Sequence, residues 1–323
     1  MTARVACLSP YSQETIRGLF KGRHQVEVVL APDPPAQEAV LEATQDAHLV
    51  IADKRHKHKL DRRVLENMRS CLLIQQAAVG FDAIDHRAAA EYGIPVANAA
   101  GYNRDAVADW TVMAILNVIR KGALGDRWMR DGVWVRDPLL GHELGALTVG
   151  IVGLGNVGGT LARRLDGFGT RLLYTDPDPT REHPGATRVE LPELLRTADV
   201  VCLHVPLDVS TRGLIGGEAL AAMKPGAILV NAARGPLVDE QALVEALSSG
   251  KLGGAALDVY EVEPLPAGSS LRGFDNVFLS PHLGGGTIEA EARVLEVVSA
   301  NLLRVLDGQP PVNVVNDVLV AQK

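Results

Sequence analysis

Arg234 and His282, with the acidic loop between them, bring together three kinds of side chain that can move a proton beside a bound carboxylate. Each stands at the end of a predicted strand. Asn231-Ala232-Ala233-Arg234-Gly235 follows the apolar run Ala227–Val230, and Leu279-Ser280-Pro281-His282 closes another such run. Between them, Ala255–Pro264 leaves an apolar stretch for a loop carrying Asp258, Glu261 and Glu263. In an open parallel sheet, ligands bind in the crevice beyond the carboxyl ends of the strands. There an arginine can grip a carboxylate with two parallel hydrogen bonds, and a histidine can exchange a proton near neutral pH. A carboxylate can orient and charge that histidine.

A second constellation lies upstream. Gly153-Leu154-Gly155-Asn156-Val157-Gly158 follows the predicted strand Thr148–Val152 and opens the predicted helix Val157–Phe168. The glycines serve a tight turn, a close backbone approach to a pyrophosphate, and tight helix–sheet packing. The helix N-terminus offers N–H groups to the phosphates. The next predicted strand, Arg171–Thr175, ends at Asp176, where a carboxylate accepts hydrogen bonds from ribose hydroxyls and repels a 2′-phosphate. Pro177-Asp178-Pro179 follows, with no arginine beside it in sequence, so the pattern favours NAD over NADP.

These residues need parallel strands to position them, and the chain supplies alternating strand and helix patterns. In the first part, Val5–Leu8, Val26–Leu30, Leu49–Ala52 and Leu72–Gln75 read as strands, and Gln37–Thr44 and Arg62–Met68 as helices. After residue 146 the alternation restarts more regularly. Its strands are Thr148–Val152, Arg171–Thr175, Val200–Val205, Ala227–Asn231, Ala255–Asp258 and Val277–Ser280. Glu218–Met223 and Asp239–Ser249 join Val157–Phe168 as helices. Asn103–Lys121 reads as a linker helix with Asn103 as its cap, Gly122–Leu147 as irregular, and Ile288–Leu306 as a long helix. The fold class is α/β, with two doubly wound parallel sheets.

The bulk properties agree with a two-domain globular chain. Its 323 residues exceed one ordinary domain, and 47% are hydrophobic against 22% charged. A net charge of −7 argues against general nucleic-acid binding. Cys7, Cys71 and Cys202 lie in apolar runs without zinc spacing, as buried thiols in a reducing compartment do. No apolar stretch approaches the ~20 residues needed to cross a bilayer, and no signal-peptide core precedes the first strand. A cytoplasmic location is expected, with no metal and no membrane partner. His24, His48, His86 and His183 read as solvated.

The linked motifs resemble the D-isomer-specific 2-hydroxyacid dehydrogenase family, of the phosphoglycerate dehydrogenase and glyoxylate/hydroxypyruvate reductase kind. The resemblance rests on Val79-Gly80-Phe81-Asp82-Ala83-Ile84-Asp85, Tyr92-Gly93-Ile94-Pro95-Val96 and the glycine turn. It continues through His204-Val205-Pro206-Leu207 with Thr211, Asn231–Gly235, Asp258–Pro264, and Pro281-His282 with Gly284 and Thr287. It implies hydride transfer between NAD(H) and C2 of a small D-2-hydroxy or 2-oxo acid. Arg234 then binds the substrate carboxylate and polarises the 2-oxo group, and His282 is the acid/base. Glu263 is its partner; Glu261 lies two residues away, and the following Pro264 favours Glu263. The Val79 and Gly80 N–H groups give a second grip on the substrate. His204, Val205, Pro206, Thr211, Ala232, Ala233, Gly284 and Gly285 line the cofactor, and Asp258 meets the nicotinamide carboxamide. Ala100, Asp109 and Ala146 depart from the family pattern, away from these positions.

The resemblance also implies two Rossmann-like domains. Residues 1–100 plus 290–323 form a discontinuous substrate domain, and residues 101–289 the NAD-binding domain with its linker helix. The active site falls in the cleft, and a homodimer forms through Asn103–Leu144, where Trp128 and Trp134 fit an interface. Three points stay open at this level. Family members also serve as NAD-sensing corepressors or act on phosphite or formate, although Val79 stands where a phosphite enzyme has lysine. The particular 2-hydroxy acid is not specified. The basic run Lys54-Arg55-His56-Lys57-His58-Lys59, just after a predicted strand, is either a solvated loop or a cationic grip on an anionic substrate.

Overall fold

A computed structural model describes residues 2–33 and 36–321. The chain forms two compact units, Met1–Asn103 with Thr287–Lys323, and Arg104–Gly286. In chain order the first unit begins with β1 (Ala3–Cys7), α1 (Gln13–Leu19), β2 (Val26–Leu30), α2 (Gln37–Thr44) and β3 (Leu49–Ala52). It continues with α3 (Arg62–Leu65), β4 (Leu73–Gln76), α4 (His86–Glu91) and β5 (Val96–Ala97). The second unit opens with α5 (Arg104–Ile119), α6 (Gly122–Arg130), β6 (Thr148–Val152), α7 (Asn156–Asp166), β7 (Arg171–Thr175) and β8 (Ala186–Arg188). Then come α8 (Leu191–Thr197), β9 (Val200–Leu203), α9 (Gly217–Ala222), β10 (Ala227–Asn231), α10 (Glu240–Ser248), β11 (Leu252–Leu257) and β12 (Val277–Leu279). Finally α11 (Ile288–Leu306) belongs to the first unit.

Both sheets are parallel throughout. The first unit has strand order β2-β1-β3-β4-β5 and the second β12-β11-β10-β9-β6-β7-β8. Each order reverses once, between β1 and β3 and between β6 and β9. Such reversals leave a crevice at the carboxyl ends of the two strands. The central strands β3, β9 and β10 are buried along their whole length, as continuous Val/Ile/Leu runs between helical layers should be.

Local chemistry sets the helix starts. Ser12, Asp61, Asp85, Asp239 and Thr287 each accept a hydrogen bond from an N–H in the first turn of α1, α3, α4, α10 and α11. Along α11, Ala290, Val294, Val298 and Leu302 recur every four residues and are all buried. The last three share a core with Val5, Ile16, Leu49 and Leu73. Cys7, Cys71 and Cys202 are buried free thiols, and burial pushes the Cys7 pKa up to about 12.

Ile288–Leu306 and most second-unit strands match the sequence reading. Val200–Val205 is shorter, because the chain leaves the sheet at His204 ahead of Pro206. Arg62–Met68 is helical only to Leu65 and then tightens through turns from Asn67 to Val64 and Met68 to Leu65. The stretch 122–147 is not wholly irregular: it contains α6, an amphipathic helix that buries no residue, with Gly122, Gly125 and Gly132 in and beside it giving the stretch a loop-like composition. The short strands β5 and β8 were too brief to leave an apolar run.

Candidate active site

The glycine turn links β6 to α7 beside the second unit's strand reversal. Gly153 has φ +94°, and a Cβ there would sit 2.7 Å from the His204 carbonyl oxygen. A Cβ on Gly158 would lie 3.0 Å from the Gly153 carbonyl carbon and collide with its oxygen, which holds α7 hard against the turn. Gly155, by contrast, faces open space. The first turn of α7 has neither a side-chain cap nor an acidic residue, so its N–H groups and partial positive charge remain available to an anion. Asp176 is fixed to this turn: its Oδ2 accepts from the Leu154 N–H at 2.6 Å and its Oδ1 from the Asp178 N–H at 2.9 Å. A dinucleotide's pyrophosphate and adenosine ribose fit this arrangement of open glycine, uncapped helix and anchored carboxylate.

An arginine the sequence reading did not associate with Asp176 closes the same corner. From β8, Arg188 donates to the carbonyls of Asp176 (3.0 Å), Asp178 (2.5 Å) and Arg181 (3.3 Å), with its guanidinium over the Tyr174 ring. Only the pairing of β8 with β7 brings it there.

Across the reversal, His204 leaves β9 with its Nε2 buried and without a hydrogen-bond partner among the described residues. Burial lowers its pKa to about 4, so the ring is neutral at physiological pH. The following turn is self-contained: Thr211 Oγ1 donates to the Pro206 carbonyl at 2.8 Å and accepts from the Asp208 N–H at 2.8 Å. Val205 lies beside Gly153, within 2.9 Å of where a Cβ there would be.

Arg234 follows β10 in extended conformation. Its loop is shaped by buried Asn231, whose Nδ2 donates to the Arg234 carbonyl at 2.9 Å while Oδ1 accepts from the Ala233 N–H at 3.0 Å. A Cβ on Gly235 would stand 2.6 Å from the Glu261 nitrogen and closer still to the Tyr260 carbonyl. The arginine loop therefore lies flush against the loop after β11. That loop contains the cis bond Glu263-Pro264. Tyr260 staples it to the next one, its hydroxyl reaching the Leu257 carbonyl at 3.1 Å and the Ser280 carbonyl at 2.8 Å.

His282 and Glu263 meet. His282 Nδ1 is 2.7 Å from Glu263 Oε2, and Glu263 Oε1 accepts from the Tyr260 N–H at 3.1 Å. Burial would raise the Glu263 carboxyl, but the His282 hydrogen bond and charge, the Tyr260 N–H and the Arg234 guanidinium hold it below the usual carboxylate range. An ionised Glu263 makes Nδ1 the donor, which leaves Nε2 as the nitrogen able to exchange a proton. Glu261 is elsewhere, with its N–H toward Glu240 at 3.4 Å. His282 has φ +53°, sparsely populated for a residue with a side chain. Its N–H is pinned by the Asp258 carbonyl at 2.8 Å and the Ser280 carbonyl at 3.1 Å.

Asp258 is buried, and both its oxygens are occupied. Oδ1 accepts from Ser280 Oγ (2.5 Å) and the Leu283 N–H (2.8 Å), and Oδ2 from the Gly284 N–H (2.7 Å). Trp110 Nε1 in turn donates to Ser280 Oγ at 3.1 Å. A Cβ on Gly284 would come within 2.9 Å of Asp258 Oδ2. Asp258 thus organises the turn that carries His282 and leads to Gly285. Ser280, Tyr260 and Trp110 complete a support the sequence reading did not assign, since no motif marks them.

In the first unit, Val79 and Gly80 follow β4. Asn98 Nδ2 donates to the Val79 carbonyl at 2.7 Å, and Gln76 Nε2 to the Gly80 carbonyl at 2.9 Å. Those two amides fix the orientation of the peptides on either side of this turn. The basic run is tied down only in part, and the Lys57 and Lys59 side chains are exposed. Asp53 gathers the Arg55, Lys57 and His58 N–H groups and the His58 ring, Arg55 also pairs with Asp33 at 2.7 Å, and Lys54 pairs with Glu291.

Residues 112–284 match the family model of the D-isomer specific 2-hydroxyacid dehydrogenase NAD-binding domain. The chain belongs to that family. This D-2-hydroxyacid dehydrogenase is 41% identical over 291 residues to a glyoxylate reductase of Thermofilum pendens, covering 88% of this chain and 85% of the relative. It is 36% identical to a D-3-phosphoglycerate dehydrogenase of Archaeoglobus fulgidus, covering 97% of this chain but 59% of that protein. Its structure superposes on an NAD-dependent formate dehydrogenase from Staphylococcus aureus in complex with NAD, with TM-score 0.86, 29% identity and 99% of each chain covered. The dehydrogenase is an NAD-linked oxidoreductase for small hydroxy and oxo acids. Among its described residues no helix is long and apolar enough to cross a membrane.

Proposed function

We propose that this dehydrogenase interconverts a short 2-oxo acid, of the glyoxylate or hydroxypyruvate size, and its D-2-hydroxy acid. The observation that carries this reading is the 2.7 Å contact between His282 Nδ1 and Glu263, with Nε2 left to exchange a proton. Arg234, on the loop packed against that of Glu263, binds the substrate carboxylate and polarises the 2-oxo oxygen. His282 delivers the proton to that oxygen in reduction and recovers it in oxidation. Glu263 stays ionised and balances the imidazolium charge. The Val79 and Gly80 N–H groups give the carboxylate a second hold. When bound, NADH supplies the hydride for C2.

Gly153, Leu154, Gly155, Asn156, Val157 and Gly158 hold the pyrophosphate, and Asp176 the adenosine ribose. His204, Val205, Pro206, Thr211, Ala232, Ala233, Arg234, His282, Gly284 and Gly285 line the nicotinamide side. Asp258 serves it chiefly by ordering the turn that bears His282. Residues 101–289 act as the NAD-binding domain, and residues 1–100 with 290–323 as the substrate domain. A cytoplasmic homodimer forms through the 103–144 region. The exposed apolar side chains there support this, with Trp134 76% and Leu140 79% accessible, beside Met113, Met129 and Val135.

NADH and NADPH oxidation with a panel of 2-oxo acids tests the reading, with turnover expected on NADH. His282→Ala should lose about two to four orders of magnitude in kcat while NADH binding, followed by fluorescence, persists. Turnover with no 2-oxo acid would sink the proposal.

A further inference from the structure

The loop after β7 is short of its own donors. Pro177, Pro179 and Pro184 lack an N–H, so its carbonyls need partners from outside the loop backbone. Arg188, on the neighbouring strand β8, supplies them. One terminal nitrogen donates to the Asp176 carbonyl at 3.0 Å, and the other to the carbonyls of Asp178 at 2.5 Å and Arg181 at 3.3 Å. The guanidinium lies 5.4 Å from the centre of the Tyr174 ring, and the Tyr174 hydroxyl donates to the same Arg181 carbonyl at 3.0 Å. Tyr174 and Arg188 are partners in the β7–β8 register, so the pairing itself sets the arginine beside the loop. Two of the gripped peptides flank the one whose N–H, that of Asp178, meets Asp176 Oδ1 at 2.9 Å. The other oxygen of Asp176 takes the Leu154 N–H of the glycine turn at 2.6 Å. Each of these oxygens keeps a second lone pair for a ribose hydroxyl.

We propose that Arg188 is a positioning residue for the adenosine-ribose site, clamping residues 176–181 so that Asp176 meets the ribose hydroxyls with its carboxylate already oriented. This rests on the reading of Asp176 given above. An arginine at this corner has a rival use, as a receptor for a 2′-phosphate, and the geometry argues against it. Three hydrogen bonds already commit the two terminal nitrogens to loop carbonyls. Turning toward a phosphate would release those carbonyls, and with them the Asp178 N–H that orients Asp176. The clamp also needs a planar fork. A lysine ammonium is a point donor on a flexible stem and cannot span carbonyls on three residues while lying over Tyr174. Holding the loop before the cofactor arrives lowers the ordering cost of binding, so the benefit falls on cofactor affinity and not on the chemical step.

The test titrates NADH and NADPH by nucleotide fluorescence against wild type, Arg188→Met and Arg188→Lys, with thermal melts and kcat at saturating NADH. Arg188 is exposed on an edge strand, so both variants keep the core intact, and either one decides the matter if the other does not fold. The NADH Kd rises about tenfold in Arg188→Met and nearly as much in Arg188→Lys, while kcat at saturation stays within about twofold of wild type. The ratio of NADPH Kd to NADH Kd falls or holds, because the carboxylate that favours NADH is the group set loose. A 2′-phosphate receptor behaves in the opposite way: Arg188→Met weakens NADPH alone and raises the ratio, and Arg188→Lys keeps most of the NADPH affinity. That pattern overturns the clamp. So does an NADH Kd within about twofold of wild type in the variants that fold, whatever their melting temperatures. Both outcomes leave the role of Asp176 standing, whereas a wild type that binds NADPH more tightly than NADH removes that role and the proposal together.

Discussion

Replacing Gly235 with alanine adds one methyl group at the contact between the loops of Arg234 and Glu263. That methyl would lie 2.6 Å from the Glu261 nitrogen and closer to the Tyr260 carbonyl, all backbone atoms with no rotamer to escape into. Non-bonded carbon contacts settle at ~3.5–4.0 Å, so at the Tyr260 carbonyl the loops must part by about 1.5–2 Å. The strain of such overpacking is typically ~1–3 kcal/mol, a loss of roughly 2–10 °C in Tm for a unit of this size. The kinetic cost is larger, because parting the loops moves Arg234 away from the His282–Glu263 pair. A displacement of ~1 Å at a reacting centre costs on the order of a hundredfold in rate. Steady-state kinetics, a thermal melt and NADH titration separate these effects. We expect a kcat reduced about a hundredfold, a modest Tm loss, and NADH binding weakened less than tenfold, since the glycine turn after β6 is untouched. A Gly235→Ala enzyme with kcat within threefold of wild type would refute the claim that this packing positions the chemistry.

Two further outcomes follow from the site. Burial lowers His204 from its ordinary 6.5 to about 4, so on acidification the unfolded chain binds its proton before the native one does. Native stability therefore falls between about pH 6.5 and 4, by at most ~3 kcal/mol and less where solvent reaches the ring. In urea titrations at pH 7 and 4.5, His204→Asn should lose less stability than wild type across that window; parallel losses would exclude the burial account. At the ribose corner, Asp176→Ser removes the carboxylate that disfavours a 2′-phosphate and leaves Arg188 in place. The NADPH-to-NADH ratio in kcat/KM and in Kd should rise on the order of a hundredfold, about 2.7 kcal/mol. A wild type that already prefers NADPH would contradict the role given to Asp176.

Legibility in the sequence depended on how local each determinant was. The β6 turn, Asp176 and the long helix α11 are written in contiguous residues, and the sequence places them well. The choice of Glu263 over Glu261 was hinted at by Pro264, and the structure brings Glu263 to His282. Pairs made by folding left no such mark. Lys54 reads as an available cation until Glu291 arrives from the far end of the chain, and Arg188 reaches the Asp176 carbonyl only through the pairing of β7 with β8. Asp258 is conspicuous in sequence, but its partners Ser280, Leu283 and Gly284 are donors of ordinary type. Helix α6 escaped for a different reason: Leu124 and Trp128 recur at helical spacing, but Gly122, Gly125 and Gly132 read as loop residues.

The first unit draws Val294, Val298, Leu302 and Leu303 of α11 into its core, while residues 104–286 form the other unit without interruption. Synthesis on the ribosome meets these two arrangements in unequal order. The second unit is complete once its last strand and the His282 turn have emerged, and domains generally fold as units in the order they are made. The opening hundred residues must wait for α11, with an apolar groove between their strands and α1 uncovered in the interval. That groove is the surface a chaperone would meet on the nascent chain, and truncations within α11 should send the first unit, rather than the second, into aggregates.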